Sequence, residues 1–94
     1  MNKYETVILI NDTLTKDARN AVISKIENFI DSNGKITKKD DIGSKKTAYE
    51  IRKQKSAYYY LIEFQANPET IYELKRIYRI TDEIIKFIVI KLGD

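Results

Sequence analysis

The stretch Ala57 to Gln65, AYYYLIEFQ, is what most restricts the folds open to this chain. Successive side chains of a strand point to opposite sides, so three consecutive tyrosines cannot share a face. Read with period two, Tyr58, Tyr60, Ile62 and Phe64 make one unbroken apolar row, and Tyr59, Leu61, Glu63 and Gln65 make the other. The first row belongs against a core. The second begins apolar and ends polar, so this strand is apolar on more of its surface than one buried face requires.

The rest of the chain supplies partners for that strand. Lys3 to Ile10 alternates in the same way, with Tyr4, Thr6, Ile8 and Ile10 on one side and Glu5, Val7 and Leu9 on the other. After the break at Asn11-Asp12-Thr13, Thr15 is a fitting N-cap and Asp17 places a negative charge in the first turn of a helix. Ala18, Val22, Ile26 and Phe29, widened by Ile23 and Ile30, form its apolar stripe. Asn33-Gly34 ends it, with Gly34 expected in the left-handed conformation. Residues 35 to 52 read as extended but irregular, and Gly43-Ser44 is suited to a bulge or bend. Arg52 to Ser56 reads as a polar turn. Asn67-Pro68-Glu69 starts a second helix, with Pro at the first helical position. Ile71, Leu74, Ile77 and Tyr78 give it a buried stripe. Ile84 to Leu92 is a last strand, with Phe87 and Val89 on one side and Ile88 and Ile90 on the other. The order β-α-β-β-α-β, in one domain spanning residues 1–94, predicts an α+β ferredoxin-like plan. That plan is a four-stranded antiparallel sheet with both helices on one face.

Two helices cover one face of such a sheet, and the other is then ordinarily polar. Here Val7, Leu9, Tyr59, Leu61, Ile88 and Ile90 all fall on the uncovered side. Together they make an apolar patch of roughly a few hundred Å², large for a monomer. A protein partner on this face is expected.

Chemistry is poorly provided for. The chain has no histidine, cysteine or tryptophan, so the common general base, the thiolate nucleophile and the usual zinc ligands are missing. Asp40-Asp41 and Asp82-Glu83 are neighbours in sequence and would diverge on a strand, with no further ligand at metal spacing. The glycines, Gly34, Gly43 and Gly93, are too far apart for a phosphate-cradling loop. No enzyme, cofactor or metal is expected. No apolar run approaches the roughly 18 residues that span a bilayer. The N-terminus is too mixed for a signal peptide, which makes the cytoplasm the expected location.

The net charge is only +3, but it is unevenly spread. Residues 35 to 55 carry eight Lys or Arg against Asp40, Asp41 and Glu50, a segment of +5 that leaves the remainder at −2. A local basic region suits an anionic partner such as RNA. An RNA-recognition motif of this element order would place a basic residue, a glycine and outward aromatics on the third strand. Here no glycine follows Lys55, and Tyr58, Tyr60 and Phe64 face the core. Base stacking across the sheet is therefore not expected. Phosphate contacts by Lys45, Lys46, Arg52, Lys53 and Lys55 around the hairpin and by Lys3, Arg79, Lys86 and Lys91 near other strand ends fit better. A small-molecule-binding regulatory domain of the same element order, dimerising through its sheet, is the alternative reading.

The residues also carry a resemblance. Tyr4-Glu5 before an apolar strand, Gly34, the run Gly43 to Arg52 (GSKKTAYEIR), the aromatic strand, Asn67-Pro68-Glu69 and the closing stretch Tyr78 to Lys91 occur in order and at matching separations. In these the chain resembles the bacterial small-subunit ribosomal protein six family along nearly its whole length. It departs at Thr47, where the family usually has Leu, and at Glu50, where it often has Pro. The resemblance implies a structural component of the small ribosomal subunit, binding the central domain of its ribosomal RNA as a heterodimer with small-subunit protein eighteen. By likeness of position, Tyr59, Leu61, Ile88 and Ile90 would meet that partner, and Tyr4, Lys45, Lys46, Arg79, Lys86 and Lys91 the RNA.

Overall fold

The computed structural model describes residues 1–51 and 53–93. Its elements are β1 (Asn2–Ile10), α1 (Lys16–Asn33), β2 (Gly34–Ile51), β3 (Gln54–Ala66), α2 (Pro68–Ile80) and β4 (Ile84–Leu92). The strands form one sheet in the order β2-β3-β1-β4, and every neighbouring pair is antiparallel. This is the α+β ferredoxin-like plan expected from the order of periods.

The strand period sets which side is core. Tyr4, Ile8 and Ile10 of β1, Tyr60, Ile62 and Phe64 of β3 and Ile84 of β4 join both helices in one buried cluster. From α1 that cluster takes Val22, Ile23, Ile26 and Ile30, and from α2 it takes Ile71, Leu74 and Tyr78. The α1 stripe is shifted from the expected one: Ala18 is exposed and Phe29 only half-buried, because the helix meets the sheet from its second turn onward. Thr15 caps it, accepting from the backbone N–H of Ala18 at 3.2 Å.

Three local expectations are corrected. Gly34 is extended, with φ −173°, and β2 begins at once where a left-handed exit was expected. Its glycine is required by proximity, since a Cβ there would lie 2.0 Å from the backbone oxygen of Gln65. The polar turn after β2 is tighter than Arg52 to Ser56, since β3 already starts at Gln54, with Lys53 at φ 64°. Tyr4, expected on the RNA side, is 7% exposed and stacks on Phe64 with ring centroids 5.7 Å apart. It lies on the helix-covered side of β1, and its ring belongs to the core.

β2 is a single 18-residue strand whose pairing with β3 slips three times, between Ile36 and Lys38, Asp41 and Gly43, and Lys46 and Ile51. Gly43 sits at the second slip with φ 97°, which a residue with a side chain rarely adopts. The third slip frees Thr47 to Glu50 from regular pairing and makes an arm of the end of β2. Ile51, beside the hairpin turn through its pairing with Gln54, packs against Leu9, Ala57 and Ile85 on the side of the sheet away from the helices. This second, small core corrects another expectation. Leu9 is 5% exposed and belongs to the interior of the protein, not to an open partner face.

Candidate partner and nucleic-acid surfaces

Registration across the central strands assembles the helix-free face. Val7 lies between Leu61 of β3 and Ile88 of β4, and Leu9 lies between Tyr59 and Lys86. Glu5 lies between Glu63 and Ile90. Ile88 and Ile90 are 45% and 50% exposed, and Val7, Tyr59 and Leu61 are half-buried. Five of the six residues expected on this face therefore form a continuous stripe across three strands, with Leu9 sealed beneath one end of it. A cleft of about 260 Å³ opens there, walled by Val7, Leu9, Ile51, Tyr59, Ile88 and the arm residue Tyr49.

The basic residues do not form one patch. Lys3 and Lys91 are exposed at the end where β1 begins and β4 finishes, next to the Tyr4–Lys91 pair. Lys86 pairs with Leu9, six residues further along β1, which is about 20 Å at roughly 3.3 Å per residue. Lys45 and Lys46 are exposed on β2 at that second end. Arg79, in the last turn of α2, holds its guanidinium 5.9 Å from the Phe87 ring centre and is exposed. Arg52 lies outside the described residues. The apolar stripe is thus flanked by cations at both ends, a distribution suited to spanning separate phosphates and unsuited to a single anion site.

Acids hold the far end in shape. Asp12, just past β1, accepts hydrogen bonds from the Ser44 hydroxyl at 2.9 Å and the Ser56 hydroxyl at 2.5 Å, tying β1 to both strands of the β2–β3 hairpin. Asp41 accepts from the Tyr58 hydroxyl, and Glu27 of α1 accepts from the Tyr60 hydroxyl at 2.8 Å while pairing with Lys39 at 3.5 Å. The bond to Asp41 raises the Tyr58 phenol above its ordinary value, and burial, reinforced by Glu27, raises that of Tyr60. Asp40-Asp41 and Asp82-Glu83 are exposed, and the described residues contain no group of three or more potential metal ligands.

Sequence reasoning missed Asp12 and Tyr49. Asp12 looked like a strand terminator, and its reach to Ser44 depends on a bulge in β2 that cannot be placed from one strand alone. Tyr49 reads from the sequence only as part of the extended segment 35 to 52, and its exposure follows from the third register slip.

Comparison with known proteins comes from three directions. Residues 3–91 match the family model described as Ribosomal protein S6. The small ribosomal subunit protein bS6 of Moorella thermoacetica is 38% identical over 95 residues, covering 100% of this chain and 97% of that one. Its counterpart in Clostridium perfringens is 44% identical over 92 residues, covering 97% of each. The crystal structure of 30S ribosomal protein S6 from Thermotoga maritima superposes with a TM-score of 0.92 at 29% identity, covering 97% of this chain and 87% of that one.

Proposed function

The chain belongs to the ribosomal protein S6 family and is a structural protein of the small ribosomal subunit, and we propose that it acts there as half of a heterodimer with small-subunit protein eighteen, bound to the central domain of the ribosomal RNA. The observation that carries the reading is the stripe of Val7, Tyr59, Leu61, Ile88 and Ile90 between two basic ends. An apolar stripe in water is costly to leave uncovered and gains by docking a protein surface. Lysines beyond its margins remain free to meet phosphates, contributing affinity that falls with salt. On this reading Lys3, Lys45, Lys46, Arg79, Lys86 and Lys91 make the RNA contacts. The partner stiffens the platform and adds contacts of its own, so the pair binds RNA better than either protein alone.

The experiment is a titration of central-domain RNA with this protein alone, with protein eighteen alone, and with the mixture, at several salt concentrations. The reading expects weak binding by the single chain, tighter binding by the mixture, and a negative slope of log affinity against log salt. Equal binding by the single chain and the mixture would rule out the heterodimer. A flat salt response would remove the lysines from the account.

A further inference from the structure

We propose that Tyr49, on the arm at the end of β2, is a stacking platform for one unpaired nucleotide of an RNA strand. The proposal rests on the RNA-binding reading above and goes beyond it. That reading uses cations against phosphates, and the sheet itself offers no outward aromatic row on which bases could stack.

Three observations point to it. The first is exposure within a basic setting: Tyr49 is 64% exposed, whereas Tyr4, Tyr60 and Tyr78 are buried in the core and Tyr58 and Tyr59 are half-buried; Tyr72 is more exposed still, at 78%, but lies on α2 and not among the lysines of the hairpin. A large aromatic left this open to water gains more from a flat apolar partner than from solvent. The second is how the ring is held. The Lys86 ammonium donates to the Tyr49 hydroxyl at 3.2 Å and lies 5.5 Å from the ring centre. That pair of distances places it out beyond the hydroxyl and not over the ring. Lys86 therefore fixes the ring by its edge and leaves the faces clear of its own charge. The third is the setting. An open cavity of about 520 Å³ beside the ring is lined by Lys46, Tyr49, Glu50, Lys55 and Ser56 among others.

The chemistry of that lining suits a nucleotide. An aromatic wall takes the base through its π-face, as in proteins that hold single strands without reading sequence. Lys46 and Lys55, both exposed, stand where the attached phosphates would run. Glu50 is the one acid in the lining and can accept from the exocyclic amine of adenine, cytosine or guanine, which uracil lacks. A protein side chain could also meet Tyr49. The arm from Lys45 to Lys55, however, carries Lys45, Lys46, Lys53 and Lys55 against the single acid Glu50 among its described residues, which favours a polyanion.

The test uses the whole chain and a short single-stranded oligoribonucleotide carrying one 2-aminopurine, whose fluorescence falls on stacking. Wild type is expected to quench it. Tyr49→Leu should bind roughly 5- to 150-fold more weakly, the range for loss of one base–aromatic stack, with the quench abolished. Its salt slope should be unchanged, since a neutral ring releases no counterions. Tyr49→Phe, which keeps the π-face and loses only the bond from Lys86, should still quench and should bind more tightly than Tyr49→Leu, and Lys46→Ala with Lys55→Ala should lower the slope while keeping the quench. Unchanged thermal melting of each variant, expected for so exposed a position, assigns the effect to binding. Equal affinity and quench for Tyr49→Leu and wild type would overturn the proposal while leaving the RNA-binding reading standing. Loss of protein eighteen binding with RNA binding intact would make Tyr49 a protein contact instead. Displacement of the strand by an equal concentration of AMP would make the cavity a free-nucleotide site. Failure of wild type to bind any RNA, here or in the central-domain titration, would overturn both readings together.

Discussion

Tyr78 shows how a single buried group sets a response of the whole chain. It is 1% exposed, its hydroxyl 3.0 Å from the Thr6 hydroxyl, which in turn donates to the Ile88 carbonyl at 3.0 Å. Both hydroxyls are therefore satisfied inside the core. Burial raises the Tyr78 phenol above its ordinary value of 10.0. The folded chain then keeps a proton that the unfolded chain releases, so this contribution is fully present below pH 10 and is lost as pH rises beyond it. Wild type should lose about 1.4 kcal/mol per pH unit from this residue above that point. Tyr78→Phe should cost about 1 kcal/mol at neutral pH and flatten the alkaline slope by that same amount, read from urea unfolding between pH 8 and 11. An unchanged slope would show that Tyr78 ionises equally well in the fold. Gly34 makes a second case at this scale. A methyl group 2.0 Å from the Gln65 backbone oxygen has no flexible neighbour to push aside. Gly34→Ala should therefore destabilise by about 1–3 kcal/mol, seen as a lower urea midpoint with the same m-value. A Gly34→Ala midpoint equal to wild type would mean that β2 can shift to make room.

At the scale of elements, the β2–β3 hairpin is both the least regular part of the sheet and the part that carries the arm. Its three register slips would let the arm drift if pairing alone held it. Asp12 counters this by bonding to Ser44 and Ser56 at once. Asp12→Ala should cost about 1 kcal/mol overall, since the contacts are partly exposed. It should speed amide exchange selectively in residues 45–51, measured by hydrogen–deuterium exchange. Asp12→Asn, which keeps an acceptor, should restore most of the protection. Uniform exchange changes across the sheet would show that Asp12 supports the fold in general. This is also where the sequence was least legible. β1 and β3 alternate cleanly, and so does β4 from Lys86 onward, past a register shift opposite Leu9 and Ile10, so most of their faces follow from period two. Tyr58, Tyr60, Ile62 and Phe64 were readable as a core row for that reason. In β2 each bulge flips the faces of all that follows, so neither the Asp12 bonds nor the exposure of Tyr49 has a local signal.

For the molecule as a whole, the consequence is a sheet apolar on both sides, of which its own chain buries one side and only part of the other. The helices close the main core, and Ile51 with its neighbours closes a small second core over Leu9, Ala57 and Ile85. Beyond that lid the stripe from Leu61 through Val7 to Ile88 stays accessible. Six apolar positions were expected on this face from alternation, and alternation alone cannot say which of them another segment of the same chain will cover. Leu9 is covered by a residue more than forty positions away, through the long-range path of β2. The two kinds of position should separate in experiment. Leu9→Lys puts a charge at a site only 5% exposed and should cost about 3 kcal/mol, enough to unfold much of a domain this small. Ile88→Lys, at a site 45% exposed, should change stability by under about 1 kcal/mol, yet under the proposed function it should abolish capture of protein eighteen, by placing an uncompensated charge in the middle of the stripe proposed to dock it. Urea unfolding and a pull-down on the same two variants measure both effects. If Ile88→Lys unfolds the chain, or binds the partner as wild type does, the exposed stripe is not the docking face.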